Sequence, residues 1–196
     1  MRKLRTAILI SGRGSNMMAL VEAARAAEYP AEIVCVVSNT ADAKGLEFAA
    51  ANGIATMVID HKAFPSREAF EVALDAYLRA MNVEAIALAG FMRVLTAGFI
   101  AGWDGRMINI HPSLLPAYKG LHTHERAIAD GAKVHGCSVH LVTPELDGGP
   151  VLLQAEVPVL TGDTADVLAA RVLTEEHRIY PQALALLSHR IIAEIP

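Results

Sequence analysis

Short apolar runs alternate with segments of helical periodicity along the first 110 residues of the chain. The apolar runs, which predict buried strands, are residues 5–11, 32–38, 55–59, 85–89 and 106–110. Residues 17–27 have apolar side chains at helical spacing, and residues 44–51 are rich in Ala. Ser66 is placed to cap a further helix, whose apolar stripe is Phe70, Leu74, Tyr77, Leu78 and Met81.

Strands that alternate with helices in this way predict an α/β fold. We expect a mostly parallel, Rossmann-like sheet covered by helices on both faces. The pattern changes after His111, where Gly, Pro and His dominate residues 112–124. Two β-rich runs follow, at residues 137–142 and 151–159, and we expect them to add antiparallel strands to one side of the sheet.

A long helical segment that starts near Thr164 closes the chain, and Pro181 is expected to break or kink it. There is no internal repeat and no linker-like stretch. The length of 196 residues fits a single domain spanning residues 1–196. In open α/β sheets, ligands bind beyond the carboxyl ends of the strands. The polar segments that follow Ser11, Ala89 and Ile110 all leave predicted strands at that end.

Composition narrows the classes of partner. Hydrophobic residues make up 53% of the chain, charged residues 19%, and the net charge is −4 without a basic block, so nucleic acid is not an expected partner. Charged residues interrupt every apolar stretch before it reaches the length of a membrane span, and the amino terminus lacks a signal-peptide pattern. We therefore expect a cytoplasmic protein that acts on small molecules. A homodimer is compatible with the sequence, which does not fix the oligomeric state.

The first chemically informative segment is residues 11–16, Ser-Gly-Arg-Gly-Ser-Asn, between the first strand and the first helix. Two glycines allow a tight turn, and the amides of a helix N-terminus form a ready site for a phosphate. A dinucleotide fingerprint would require Gly where this chain has Met17, so the segment favours a mononucleotide phosphate. The alternative is an ordinary strand-to-helix turn, with Ser15 or Asn16 as the helix cap.

The second segment is residues 109–116, Asn-Ile-His-Pro-Ser-Leu-Leu-Pro. Asn109 and His111 are two residues apart at a strand end, so their side chains are expected on the same face of the sheet. Pro112 directs the chain out of the sheet directly afterwards. A polar pair in this position indicates a functional site, although a structural histidine remains an alternative.

The third segment is residues 145–150, Glu-Leu-Asp-Gly-Gly-Pro. By itself it is typical of a surface turn, because Asp-Gly is a common turn dipeptide. Considered beside His111, however, Asp147 becomes a candidate for the carboxylate that usually orients an imidazole in acid–base chemistry.

A metal centre is not expected. His122, His124, His135, Cys137 and His140 resemble a set of metal ligands, but the paired spacing of zinc-binding cysteines is absent. Cys137 and His140 would also lie on opposite faces of a strand. Cys35 and Cys137 are the only cysteines, so no disulfide framework is expected, and Cys35 is expected in the core. A Gly-x-Ser-x-Gly segment, which would indicate a serine hydrolase, does not occur.

Taken together, seven segments resemble the ordered motifs of the phosphoribosylglycinamide formyltransferase family. They are ILISGRGSN, LAGFMRVL, NIHPSLLP, GLHTH, GCSVHLV, ELDGGPVLLQ and TEEHRIYP, and the resemblance spans about residues 4 to 190. It implies the formyltransferase fold. It also implies transfer of the formyl group of 10-formyltetrahydrofolate, a co-substrate, to the amine of glycinamide ribonucleotide in purine biosynthesis, without a metal.

The resemblance also implies roles for individual residues. Gly14, Ser15 and Asn16 would hold the phosphate of the ribonucleotide, and Glu176 would reach its ribose. Asn109, His111 and Asp147 would be the catalytic residues, with Asn109 also in contact with the folate. The remaining folate-binding residues would be Arg67, Met92, Arg93, Val94 and Leu95. Arg13, between the two glycines of the first segment, and the early end of the chain are the departures from the family pattern, and neither affects the catalytic residues.

Three alternatives share part of this pattern. Formyltetrahydrofolate deformylase delivers the formyl group to water and normally has an additional amino-terminal domain, whereas the first strand here is expected to begin at Arg5. Methionyl-tRNA formyltransferase has an additional carboxy-terminal domain that binds RNA, for which no residues remain. A non-catalytic nucleotide-binding module would explain the first segment but would leave Asn109, His111 and Asp147 without a role.

Overall fold

The computed structural model describes residues 2–194, which form seven strands and six α-helices. The strands are β1 (Leu4–Ile10), β2 (Ala31–Ser38), β3 (Ala55–Val58), β4 (Ala85–Leu88), β5 (Met107–His111), β6 (Val134–Leu141) and β7 (Val151–Pro158). The helices are α1 (Ser15–Ala24), α2 (Gly45–Ala51), α3 (Arg67–Ala80), α4 (Ala97–Gly102), α5 (Thr123–Ala129) and α6 (Ala165–Glu194), with a short 3-10 helix at His61–Ala63.

All seven strands belong to one sheet, whose order is β3-β2-β1-β4-β5-β6-β7. The first five strands are parallel, while β6 is antiparallel to both β5 and β7. The predicted parallel sheet with antiparallel strands added on one side is therefore confirmed. The chain runs outward from β1 through β2 to β3 and then returns to place β4 on the other side of β1. The strand order therefore reverses beside β1, and ligands are expected there, at the carboxyl ends of the strands.

Two apolar layers cover the two faces of the sheet. Leu4, Ile8 and Ile10 of β1 face one layer, to which α1, α2 and α6 contribute, and Ala7 and Leu9 face the other, formed with α3 and α4. A β-bulge in β2 opposite Thr6 and Ala7 changes which residues of β2 face each layer. Both cysteines are buried in these layers, which confirms the expected position of Cys35.

Two local expectations, a side-chain cap for α1 and a break in α6 at Pro181, were wrong. The N-cap of α1 is Gly14, in the left-handed conformation at φ 72°, and neither Ser15 nor Asn16 caps the helix. Helix α6 continues through Pro181 without a break. Buried side chains on both sides of the proline, including Ile179 and Leu184, pack the two halves of α6 against the same sheet face. The packing therefore outweighs the loss of one backbone hydrogen bond.

Helix α6 also anchors the ends of the central strands. The hydroxyl of Tyr180, which is fully buried, donates to the carbonyl of Leu88 at the end of β4, at 2.7 Å. The Ser66 cap of α3 is as predicted, since its Oγ accepts from the amide of Ala69. Among the described residues, none of the helices is both long and apolar enough to cross a membrane.

Candidate active site

The candidate residues gather where β1, β4 and β5 end. Residues 11–16 follow β1, residues 89–96 follow β4, and Asn109 and His111 are the third and last residues of Met107–His111, which forms β5. The segment that connects β6 to β7 brings Asp147 to the same edge of the sheet. The sheet topology therefore unites four segments that are separated by up to about 130 residues of sequence.

His111 is buried, and both of its ring nitrogens face hydrogen-bond acceptors. Nε2 lies 2.9 Å from the carbonyl oxygen of Tyr118, and Nδ1 lies 3.5 Å from Oδ2 of Asp147. Because a carbonyl oxygen only accepts, Nε2 must be the protonated nitrogen. The distance to Asp147 is longer than an ordinary hydrogen bond, so Nδ1 is the nitrogen left for a ligand.

Asp147 is a buried carboxylate that is held by several donors. Its backbone is in the left-handed region at φ 49°, and its Oδ2 accepts from the amide of Gly120 at 2.9 Å. Burial by itself would raise the pKa of Asp147, but the donors His140 and Gly120 and the positive charge that His111 and His140 can carry lower it below its ordinary value. Asp147 therefore remains ionised at neutral pH although it is buried.

His140 completes this group of side chains, and the sequence analysis missed its role. In the antiparallel pairing of β5 and β6 it lies directly opposite Asn109. Its Nδ1 donates to the carbonyl of Leu141, and its Nε2 lies 3.2 Å from Nδ2 of Asn109 and 3.6 Å from Oδ1 of Asp147. When its ring is neutral, His140 accepts one amide hydrogen of Asn109 and leaves the other free; when its ring is protonated, Nε2 places positive charge beside Asp147. We call Asn109, His111, His140 and Asp147 the polar cluster.

The predicted phosphate segment has the backbone geometry that such a site requires. Helix α1 starts at Ser15, no side chain caps it, and a ladder bond runs from the amide of Met18 to the carbonyl of Gly14. The amides of residues 15–17 therefore precede the helix ladder. A Cβ at Gly14 would lie 2.8 Å from Cε of Met17 and 3.3 Å from Cα of Gly45, so the turn is closely packed.

Asn16 and Glu176, which the sequence analysis assigned to the same ligand, contact each other. Nδ2 of Asn16 donates to Oε2 of Glu176 at 2.6 Å. Within residues 2–194, Oδ1 of Asn16 is one of the few buried side-chain atoms that lack a hydrogen-bond partner. Burial raises the pKa of Glu176, against the opposing effect of the Asn16 amide. A ligand hydroxyl would satisfy both groups.

The expected folate residues differ in their exposure. Met92 and Val94 are 65% and 57% exposed, whereas Leu95 is buried. Arg93 is half-buried, and its Nε is another of the unpaired buried atoms in the described part of the chain. Large exposed apolar side chains on a soluble domain are typical of ligand surfaces when they cluster. Arg67 lies exposed at the start of α3, and none of the described hydrogen bonds links it to the other candidate residues.

The histidines that resemble metal ligands are divided among different environments. Nδ1 of His124 and Nε2 of His135 lie 3.2 Å apart, and burial lowers the pKa of both rings, that of His135 to about 4. His140 belongs to the polar cluster, and His122 is exposed. Across residues 2–194, no three His, Cys, Asp or Glu side chains are grouped as metal ligands.

Two surface cavities lie away from the polar cluster. The larger, of about 540 Å³, is lined by residues at the amino-terminal ends of the strands, among them Arg5, Glu32 and Glu84. The other, of about 490 Å³, lies beside the edge strand β3 and is lined by Met57, Phe64 and Tyr77 among others. Neither contains a candidate residue. The larger cavity includes the ion pairs that join Arg5 to Glu32 and Arg2 to Glu84, so both of its glutamates are already paired.

Known proteins resemble this chain along most of its length. Solved structures of phosphoribosylglycinamide formyltransferase from Brucella melitensis and of glycinamide ribonucleotide transformylase 1 from Symbiobacterium toebii match with TM-scores of 0.92 and 0.93. Their sequence identities are 56% and 45%. Each match covers 95% of this chain, together with 96% and 88% of the respective structures.

Among curated proteins, phosphoribosylglycinamide formyltransferase of Escherichia coli is 49% identical over 178 residues, which are 91% of this chain and 84% of that protein. The trifunctional purine biosynthetic protein adenosine-3 of Bos taurus is 46% identical, and there the chain spans only 18% of the relative's length. The formyl transferase family model matches residues 4–184. The chain therefore belongs to the formyl transferase family.

Proposed function

We propose that this protein transfers the formyl group of 10-formyltetrahydrofolate to the amine of glycinamide ribonucleotide, which gives the N-formyl product and tetrahydrofolate in purine biosynthesis. The observation that carries the proposal is the polar cluster, in which an amide, two imidazoles and an ionised carboxylate meet at the carboxyl ends of the strands. The names of the bacterial relatives support the choice of acceptor. The name of the Bos taurus relative, a purine biosynthetic protein, supports a place in purine synthesis, and with it small molecules as partners and a cytoplasmic location.

The reaction creates a negative charge on the formyl oxygen, and the polar cluster has hydrogen-bond donors for it. The amine nitrogen attacks the formyl carbon, the electrons of the C=O bond move to oxygen, and an oxyanion forms. The free amide hydrogen of Asn109 and an N–H at Nδ1 of His111 are the donors that this oxyanion needs. Removal of one such donor from comparable sites lowers turnover by about 10²–10³-fold.

Asp147 balances the charge of the reaction. Its carboxylate lies beside Nδ1 of His111, where it stabilises the ring when that nitrogen is protonated. As the intermediate collapses, the bond from the formyl carbon to N10 of the folate breaks. The proton lost by the attacking nitrogen must reach N10, and the carboxylate of Asp147 and Nδ1 of His111 are the groups that we propose to carry it.

The two substrates would approach from different sides of the polar cluster. Gly14, Ser15 and Asn16 would receive the phosphate on the amides of α1, and Glu176 a ribose hydroxyl. Met92, Arg93, Val94 and Leu95 would line the pterin pocket, and Arg67 would help to bind the folate. The exposed Met92 and Val94 and the unpaired Nε of Arg93 support this assignment.

The choice of acceptor is tested by the release of tetrahydrofolate from 10-formyltetrahydrofolate, with and without glycinamide ribonucleotide. We expect release at least tenfold faster with the amine, together with an equal amount of formylated product. Equal release in both reactions would contradict the proposal and would identify water as the acceptor, as in a deformylase.

The phosphate site is tested by Gly14→Ala. The added Cβ would strain a left-handed residue and press against Met17 and Gly45, so the amides of α1 would move. We expect the KM for the ribonucleotide to rise about tenfold while the KM for the folate changes less than twofold. Gly53→Ala is the matched control, because Gly53 has φ +73° but open space around it. A larger effect on the folate KM would show that the ribonucleotide and the folate have been assigned to the wrong sites.

The catalytic assignment is tested by a double-mutant cycle of His111→Ala and Asp147→Asn. Residues that act as a unit have strongly non-additive effects, so the double variant should be little slower than the slower single variant. Asn109→Ala should lower kcat about 10²-fold or more and leave the ribonucleotide KM nearly unchanged. Circular dichroism serves as the folding control. Effects of His111 and Asp147 that simply multiply would contradict a coupled mechanism.

A further inference from the structure

The segment that carries most of the expected folate residues has no regular structure of its own. Residues 89–96, here called the folate segment, connect β4 to α4, and within them Met92 and Val94 are largely exposed. A segment of this kind is conformationally free unless other elements hold it, and a mobile segment lowers affinity because binding must order it. The contacts that hold the folate segment in place should therefore affect the affinity for the folate.

At the far end of the folate segment, both oxygens of Glu71 accept from Thr96. Oε1 accepts from the backbone amide at 2.7 Å, and Oε2 accepts from the side-chain hydroxyl. Oγ of Thr96 in turn accepts from the amide of Phe99, which caps α4. Glu71 therefore fixes the junction at which the segment becomes a helix.

The position of Glu71 is costly for a helix whose buried face is otherwise apolar. It is 5% exposed and lies on α3 beside Phe70 and Leu74, which are also buried. A buried carboxylate is unfavourable unless hydrogen bonds satisfy it, and here Thr96 provides both of the side-chain bonds that the structure shows. The hydrogen bonds between Glu71 and Thr96 are thus a specific polar contact within an otherwise apolar interface.

At the near end of the folate segment, the hydroxyl of Ser11 accepts from the amide of Met92 at 2.8 Å. The same hydroxyl donates to Oδ1 of Asn39, which is 3% exposed and follows β2. Ser11 is the first residue of the segment 11–16 that carries the proposed phosphate site. One side chain therefore links the turn after β1 to the backbone of the folate segment.

We propose that Glu71 and Ser11 are positioning residues that hold the folate segment in the conformation that receives the folate. This inference rests on the proposed function, because that function assigns the folate to residues 92–95. Neither side chain needs to touch the substrate. Arg67 lies one helical turn before Glu71 on α3, so the same helix fixes the relation between Arg67 and the pterin pocket.

The test measures the Kd of tetrahydrofolate, together with both KM values and kcat, for Glu71→Ala, Glu71→Gln and Ser11→Ala. We expect Glu71→Ala to raise the tetrahydrofolate Kd and the folate KM about tenfold or more, because the amide of Thr96 loses its acceptor. The ribonucleotide KM should change less than twofold. Glu71→Gln keeps one oxygen acceptor for that amide and should restore most of the affinity.

Asp75→Ala is the matched control on the same helix. Asp75 accepts from Nε1 of Trp103 at 2.8 Å, so it also joins α3 to the region of α4, but it does not contact the folate segment. We expect Asp75→Ala to lower the Tm about as much as Glu71→Ala does and to leave the tetrahydrofolate Kd unchanged. Ser11→Ala should raise this Kd as well, and it keeps the proposal testable if Glu71→Ala fails to fold.

Amide hydrogen exchange gives an independent readout. The amides of Met92 and Thr96 should exchange faster in Ser11→Ala and Glu71→Ala respectively, and not in Asp75→Ala. Unchanged tetrahydrofolate affinity in both positioning variants, or an equal rise in the two KM values, would overturn the proposal. A wild-type protein that binds tetrahydrofolate but formylates no ribonucleotide would contradict the proposed function instead, while the series of Kd values would still decide this inference.

Discussion

The buried carboxylate of Asp147 is the constraint on which the rest of the site depends. A carboxylate in this position is unfavourable by several kcal/mol unless donors and positive charge surround it. The groups that stabilise it come from three separate parts of the chain: the amide of Gly120 donates a hydrogen bond, and the rings of His111 at the end of β5 and His140 near the end of β6 can carry positive charge beside the carboxylate. An ionised Asp147 and the folded arrangement of these segments are therefore coupled.

The sheet supplies that arrangement through its topology and register. Parallel pairing brings the ends of β1, β4 and β5 to one edge, and the antiparallel β6 then places His140 opposite Asn109. The hydroxyl of Tyr180 binds the last carbonyl of β4, so the long helix α6 also stabilises this edge. The same helix positions Glu176 against Asn16. Much of the rigid core thus serves to hold side chains at one end of the sheet.

The fold could be predicted because its signal is local. Apolar runs of strand length and the stripe of α3 are visible in short stretches of sequence, and their alternation implies a parallel sheet. The spacing of 36 residues between His111 and Asp147 has no periodic meaning, so the two could be paired only by the chemistry of an imidazole that needs a carboxylate and by the resemblance to a family. The α1 cap and the continuity of α6 through Pro181 were predicted wrongly because tertiary packing decides both.

His140 and Glu71 show why the remainder could not be predicted. The role of His140 follows from the register of β6 against β5, which a single sequence does not specify. The sequence indicates only that Ser138 and His140 share one face of a strand, and not that this face lies opposite Asn109 and His111. In the sequence, Glu71 resembles an ordinary polar residue of an amphipathic helix, and only the structure shows that it binds Thr96, the N-cap of α4. Both residues act through partners that are distant in sequence.

The central claim is that the carbonyl of Tyr118 holds the proton on Nε2 of His111, so that Nδ1 faces Asp147 and the reacting formyl group. It is tested most directly by ¹⁵N NMR of the protein with labelled histidine at a pH where His111 is neutral. His111→Gln provides the assignment of the resonance. The account predicts the Nε2–H tautomer of His111. A neutral His111 that carries its proton on Nδ1 would contradict the account, because Nε2 would then have no hydrogen to donate to the carbonyl of Tyr118.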